Sequence, residues 1–258
     1  MSALPKTQTT SLATSTAQDV YIRDQSLCSD LMGQVTFTEM AYFLILGVRP
    51  TPAQCAIVDA CLVTLMEHGL TPSALAARLT YTSAKEAMQG AVAAGLLGVG
   101  SLFVGTMEGC ALLLDRIIAG GEPLDAEARR VALEHQQAGR PLPGFGHPLH
   151  KPDDPRSKRL LELVEHQKLT SNYTRALEAL SRAVDDVFQK HITINATGAV
   201  AAALGDAGVP PAIMRGFALI SRCAGLVAHI REEQEKPALR AIWEASERAV
   251  AYDGKAGQ

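Results

Sequence analysis

Apolar positions recur at three- and four-residue steps along most of the chain. Residues 53–67 carry Ala56, Ile57, Ala60, Cys61, Thr64 and Leu65 in that register, which is one face of a helix. His68-Gly69 ends it. Thr71 reads as the N-cap of the next helix, with Pro72 at its first position. Ser83-Ala84-Lys85-Glu86 reads as a capping box opening an Ala- and Gly-rich helix toward residue 97. Asp125 is expected to cap a helix reaching about Gln137. A Gly/Pro-rich loop over 139–155 follows, then Asp154 as N-cap with Pro155 behind it. Arg156 then falls in a first turn, free to reach back over the loop. Ser171 begins a helix with Leu177, Leu180, Ala183, Val184, Val187 and Phe188 on one stripe. Gly205, Gly208 and Pro210-Pro211 mark the last boundary. The final long helix runs from Pro211 to about Gln234, with Arg215, Arg222 and His229 at seven-residue steps on one face. No alternating strand pattern of useful length is visible; residues 192–194 suit an extended segment or a buried helix equally. The pattern predicts an all-α protein.

Composition narrows the function classes. At 258 residues the chain can form one large domain or two modest ones. Its net charge of −3 gives no support for a nucleic-acid partner. The most apolar stretch, 91–104, is too short for a membrane span and is interrupted by Gly95, Gly98 and Gly100. Residues 1–19 are rich in Ser and Thr, lack an apolar signal-peptide core, and read as a floppy tail. The five cysteines, Cys28, Cys55, Cys61, Cys110 and Cys223, form no CxxC pair and suit reduced, mostly buried thiols in a cytoplasm. There is no GxxxxGKS or HExxH segment.

The candidate chemistry concentrates in residues 144–156, Gly-Phe-Gly-His-Pro-Leu-His-Lys-Pro-Asp-Asp-Pro-Arg. Glycines around a Phe permit a tight turn that brings backbone N–H groups near a ligand. His147, His150, Lys151 and Arg156 suit an anion: Arg offers a planar fork to carboxylate and Lys a point charge to phosphate. A neutral His donates to a carbonyl oxygen as charge develops there. Two other readings stand beside this one. The loop can be a solvated charged surface, or a metal site using His147, His150, Asp153 and Asp154.

Residues 144–156 resemble the signature of the citrate synthase family, roughly G-[FI]-G-H-x-[VL]-x-K-x-x-D-P-R. Three more segments resemble family motifs in the same order. They are Glu67-His68-Gly69 with Ser73 and Ala76-Ala77-Arg78, Ala94-Gly95-Leu96-Leu97 through Gly105, and Ser221-Arg222-Cys223-Ala224-Gly225 with Ala228-His229. The similarity covers about residues 20–240. It implies a two-domain, all-helical fold, shortened at the N-terminus. A large domain would comprise 20–103 and 204–258, and a small CoA-binding domain 104–203. It also implies a homodimer and a CoA thioester as substrate, with no permanently bound cofactor and no metal. By the same resemblance His68, His147, Arg156 and Arg222 hold a hydroxy-polycarboxylate or 2-oxo acid. Gly144, Phe145 and Gly146 cradle the CoA adenine, and Lys151 meets a CoA phosphate. His229 reads as simple packing. An arginine donated across the dimer has only Lys236 or Arg240 as counterparts.

Two departures bear on the reaction. Citrate synthases carry a catalytic His in Gly-Pro-Leu-His-Gly-Gly; here Phe103 occupies that position in Gly100-Ser101-Leu102-Phe103-Val104-Gly105, as in the citryl-CoA lyase and ATP-citrate lyase branch. A phenyl ring cannot donate a hydrogen bond to a thioester oxygen. The family's Asp of an Asn-Val-Asp segment is matched to Ile194, beside Asn195, and neither is a base near neutral pH. The resemblance therefore implies a citryl-CoA lyase-like enzyme, with His147 and His68 catalytic, Asn195 assisting the enolate and Phe103 lining the substrate site. A citrate synthase-type acyltransferase is the second expectation. A non-catalytic CoA- or citrate-binding module is the third.

Overall fold

The computed structural model describes residues 9–120 and 123–254, apart from the side chains of Leu102 and Phe103. Part of the stretch expected as a tail is ordered into a small antiparallel sheet: β1 (Ala13–Ser15), β2 (Val20–Ile22) and β3 (Gln25–Ser26), in the order β1-β2-β3. Thr14 pairs with Tyr21, and Tyr21 with Ser26. Strands of two or three residues are too short to show an alternating pattern. Arg23 fastens the sheet to the body by donating from Nε and Nη2 to the Leu44 carbonyl, at 3.0 and 2.8 Å.

The rest is helical: α1 (Phe37–Leu46), α2 (Pro52–Met66), α3 (Pro72–Ser83), α4 (Met88–Leu97), a π-helical turn (Gly100–Val104), α5 (Gly105–Ala119), α6 (Leu124–Gln137), α7 (Pro155–Gln167), α8 (Asn172–Phe188), α9 (Ala196–Asp206), α10 (Pro211–Glu235) and α11 (Leu239–Ala249). Thr71 and Asp154 cap α3 and α7 as the sequence predicts. Two expected caps do not form. Ser83 ends α3, with its hydroxyl turned back to the Leu79 carbonyl, and α4 starts without a side-chain cap. α6 begins after Pro123, which puts Asp125 inside the first turn.

Two helices organise the packing. α10 lies against α2, α3, α4 and α5, and buries Met214, Phe217, Ala218, Leu226 and Ile230. Its length and composition would also suit a membrane span; in this fold that face is packed against the neighbouring helices. α9 lies against α5, α7 and α8 with residues 199–204 all buried. Each large apolar side chain so buried contributes about 1.5–3 kcal/mol. Small residues let these helices approach closely. Gly95 abuts Leu226 and the Ser73 carbonyl, and Ser73 Oγ donates to the Gly95 carbonyl at 2.6 Å. One apolar core runs through both groups of helices, from Ile57 on α2 to Leu204 on α9 and Phe217 on α10.

Candidate active site

The loop before α7 folds back on itself because its backbone is paired with residues 193–195. The N–H of Gly146 donates to the Thr193 carbonyl at 2.7 Å, and the N–H of Asn195 donates to the Gly144 carbonyl at 3.0 Å. Gly144 and Gly146 take φ of +84° and +79°, where a side chain is strained. At Gly144 there is a second reason. A Cβ would come within 2.6 Å of Cys110 Sγ and press on Gly198 at the start of α9. The N–H of Phe145 is used as well, by the Leu142 carbonyl, and the Phe145 side chain packs on the core. The N–H groups of residues 145 and 146 are thus spent within the protein, and are not turned outward as the sequence suggested. Lys151, at the outer edge of the loop, is exposed.

This pairing presents His147 with one defined tautomer. Its Nδ1 accepts the backbone N–H groups of Leu149 and His150, at 3.1 and 2.9 Å, so the proton of the neutral ring sits on Nε2. Nε2 faces Arg156 Nη2 at 3.4 Å, and Arg156 Nη1 faces His68 Nδ1 at 3.4 Å. The His68 and His147 rings meet edge to face, 6.2 Å between centroids. His68 stands on the turn after α2, His147 on the loop and Arg156 in the first turn of α7, so three separate segments converge. Burial, reinforced by the Arg156 charge, holds both histidines below their ordinary pKa. Both are neutral donors near neutral pH.

Arg222, on α10, completes the cationic wall. Its Nη1 is buried without a hydrogen-bond partner and lies 3.9 Å from Glu67 Oε2. Burial lowers its pKa, although the Glu67 charge opposes this. A guanidinium N–H left dry and unpaired is costly unless a ligand takes it. A carboxylate is the group whose geometry matches.

His147, His150 and Asp154 bring one donor atom each within 4.8 Å of one another, a metal-like spacing. Two of the three residues are already engaged. His147 Nδ1 holds two backbone N–H groups, both Asp154 oxygens bind Arg156 at 3.0 and 2.7 Å, and Asp153 turns away to His191. A dication here would also face the Arg156 guanidinium. The geometry favours an anion.

The segment before α9 reads differently in three dimensions. Ile194 bridges Phe145 through its backbone and packs on the core. Asn195 is the N-cap of α9. Its Oδ1 accepts from the N–H groups of Thr197 and Gly198 and from the Thr197 hydroxyl at 2.7 Å, while its Nδ2 donates to the Gly146 carbonyl at 2.9 Å. Asn195 thus caps α9 and holds the His147 turn, and keeps one further Nδ2–H to donate. Matched on its Asn, the Asn-x-Asp pattern runs over Asn195-Ala196-Thr197. The position of interest is Thr197, not Ile194. The Thr197 hydroxyl lies 3.1 Å from that of Thr106 on α5. Phe103 belongs to the π-helical turn before α5, and its side chain lies outside the described residues. Lys236 and Arg240 are exposed, the latter paired with Glu244 on its own helix.

Fold and site together define a helical protein with a cationic, hydrogen-bond-donating cluster whose geometry matches carboxylates. The family model for the citrate synthase C-terminal domain matches residues 36–243, and the chain belongs to the citrate synthase family. The putative citrate synthase 2 of Mycobacterium tuberculosis is 28% identical over 195 residues, which covers 72% of this chain and 49% of that protein. The chain thus spans about half the length of the curated relatives it matches. The structure of citryl-CoA lyase from Hydrogenobacter thermophilus superposes with a TM-score of 0.87 at 28% identity, covering 98% of this chain and 97% of that one. ATP citrate lyase from Methanothrix soehngenii, solved with citrate and coenzyme A, shares the fold with a TM-score of 0.80 at 16% identity, covering 98% of this chain and 43% of that one.

Proposed function

We propose that the protein cleaves citryl-CoA, or a related 3-hydroxy-3-carboxyacyl-CoA, to an acyl-CoA and a 2-oxo acid such as oxaloacetate. The observation that carries this reading is the convergence of His68, His147 and Arg156, with His147 Nε2–H facing into the cluster. In the cleavage the substrate hydroxyl passes its proton to water as the adjacent carbon–carbon bond breaks. That bond's electron pair passes into the thioester as an enolate, which takes a proton back from water at carbon, so the two transfers cancel. His147 Nε2–H donates to the oxygen that becomes the 2-oxo group, and Arg156 and Arg222 hold carboxylates. His68 orients the oxo acid. Lys151, exposed beside the cluster, meets a phosphate of CoA, which acts as a substrate and not as a resident cofactor.

Near full-length similarity to a citryl-CoA lyase and Phe103 in place of the synthase histidine support the lyase direction. The division into 20–103 with 204–258, and 104–203, belongs to the same proposal, as do a homodimer and a cytoplasmic setting. The test is oxaloacetate release from citryl-CoA, read by coupled reduction to malate. Absence of any 2-oxo acid from citryl-, methylcitryl- and citramalyl-type thioesters would overturn the reading.

Two other readings each have an observation behind them. The curated relatives are citrate synthases, which favours condensation; thiol release from acetyl-CoA with oxaloacetate tests it. Thr197 stands where the family pattern has an acid, which favours a binding module. Calorimetric binding of citrate and CoA without turnover would support that reading.

A further inference from the structure

His229 was expected to be packing, and it is buried. It is also the middle of a hydrogen-bonded chain. Arg78, buried on α3, donates from Nε to His229 Nδ1 at 3.0 Å, and pairs through Nη1 with Glu233 at 2.8 Å and through Nη2 with Glu232. His229 Nδ1 is therefore an acceptor, and its proton lies on Nε2. That Nε2–H points at Glu67, 3.0 Å from each carboxylate oxygen. Glu67 Oε1 also accepts the backbone N–H groups of His68, at 2.8 Å, and of Gly69. Gly225 makes the arrangement possible, since a Cβ there would collide with the Met66 carbonyl and meet Glu67 Oε2. Burial works against charge on Glu67, yet the bonds from His229, Gly69 and His68 hold its carboxyl below the ordinary range.

The distance that matters is the remaining one. Glu67 Oε2 stands 3.9 Å from Arg222 Nη1, beyond the roughly 3.2 Å limit of an N–H···O bond. Those two groups would close on each other if nothing held them apart. We propose that the Arg78–His229–Glu67 chain is a positioning relay that restrains Glu67 from capturing Arg222, and so keeps one guanidinium edge open for a substrate carboxylate. It rests on reading Arg222 as a carboxylate ligand. Glu67 partly neutralises the buried guanidinium without occupying it. The same carboxylate fixes the backbone of His68, so one relay presents two ligands of the site. Glu67, His229 and Arg78 are positioning residues; none needs to touch the substrate.

The discriminating variant is His229→Asn. Its Oδ1 can replace Nδ1 as the acceptor for Arg78, while nothing reaches Glu67. Calorimetric titration of the full chain with citrate and with oxaloacetate should show His229→Asn weakened by about tenfold or more, the loss of one charge-assisted hydrogen bond, with its melting transition retained. The double variant His229→Asn with Glu67→Gln should recover most of that affinity, because a neutral amide no longer competes for Arg222. Glu67→Gln alone should bind more tightly than the parent. A merely structural role predicts the opposite, with the double variant at least as weak as the single. The proposal is overturned if His229→Asn binds like the parent, if the second substitution gives no recovery, or if Glu67→Gln binds more weakly. A parent protein that binds neither acid would remove the polycarboxylate reading and this proposal together. Binding by the parent without the variant pattern removes the relay alone.

Discussion

Asp154 holds Arg156 at three points: its Oδ1 accepts the Arg156 backbone N–H at 3.0 Å and Nε at 3.0 Å, and its Oδ2 accepts Nη2 at 2.7 Å. One buried carboxylate thus caps α7 and sets the plane of the guanidinium that faces His68 and His147. Its Oδ2 also accepts the N–H of Ala196 at the start of α9, so the helix carrying Arg156 and the helix behind the His147 turn share an anchor. Arg156 Nη1 is left without a carboxylate partner.

Replacing Asp154 with Asn keeps the cap but removes the charge. The expected cost is about 2–3 kcal/mol of stability, below that of breaking a fully buried pair because Arg156 is partly exposed. Citrate affinity should fall as well, because the guanidinium is no longer held in its plane. Urea denaturation and calorimetry check the two effects. An Asn variant of parental stability would mean that the pair adds nothing beyond the cap.

The local half of this site was legible in the sequence. Asp154-Pro155-Arg156 is a helix start, and an arginine two residues after its cap can fold back over it. His68 after a helix and His147 directly after the Gly144-Phe145-Gly146 turn also stand out as short-range signals. Glu67, Arg78 and Glu233 were not legible as a unit. Arg78 and His229 are 151 positions apart, and no periodicity links a buried arginine on one helix to a histidine on another. Asn195 was half legible for a related reason: its residue type suits enolate contact, while its role as the cap of α9 depends on where that helix starts. The register error at Ile194 came from the same segment. An extended residue and the second residue of a helix are indistinguishable until the cap is located.

The pH dependence of stability should have two opposed limbs. His68 and His147 have pKa values below the ordinary 6.5. The unfolded chain therefore takes up their protons first as pH drops. Their contribution is present above pH 6.5 and is lost as pH falls below it. His191 is the reverse. Hydrogen bonds to Asp185 and Asp153 raise its pKa, so its contribution is present below 6.5 and is lost as pH rises through the raised value. His191 is half-exposed and its limb should be the shallower one. Melting temperatures from about pH 5 to about pH 8 measure both. His147→Asn should flatten the acid limb and His191→Asn the alkaline one.

Thr197→Asp tests the acid–base vacancy directly. The residue lies in the first turn of α9, where a carboxylate is favoured by the helix dipole, and it adjoins Thr106 on α5. If proton transfer at the acyl carbon limits the reaction, a positioned carboxylate should raise turnover by about tenfold or more. The companion measurement is exchange of the acetyl-CoA methyl protons in deuterated water, which reports enolisation alone. No gain in either would place the proton carrier elsewhere in the site.

His147 allows its two nitrogens to be separated. Nδ1 serves the fold by accepting the N–H groups of Leu149 and His150, and Nε2–H serves the chemistry. In His147→Asn the amide oxygen lies near the place of Nδ1 and can still accept those two donors, but nothing reaches the substrate oxygen. His147→Ala loses both functions. Turnover should fall by about a hundredfold or more in each, the usual consequence of removing a donor aimed at developing charge. Stability should fall mainly in the Ala variant, which leaves two backbone N–H groups without their acceptor, at about 1 kcal/mol each. Steady-state kinetics and thermal melts on both variants decide the matter. Equal loss of turnover with unequal loss of stability assigns Nε2–H to catalysis. Loss of affinity alone, with turnover preserved in the Asn variant, would mean that the imidazole binds the acid without acting on it.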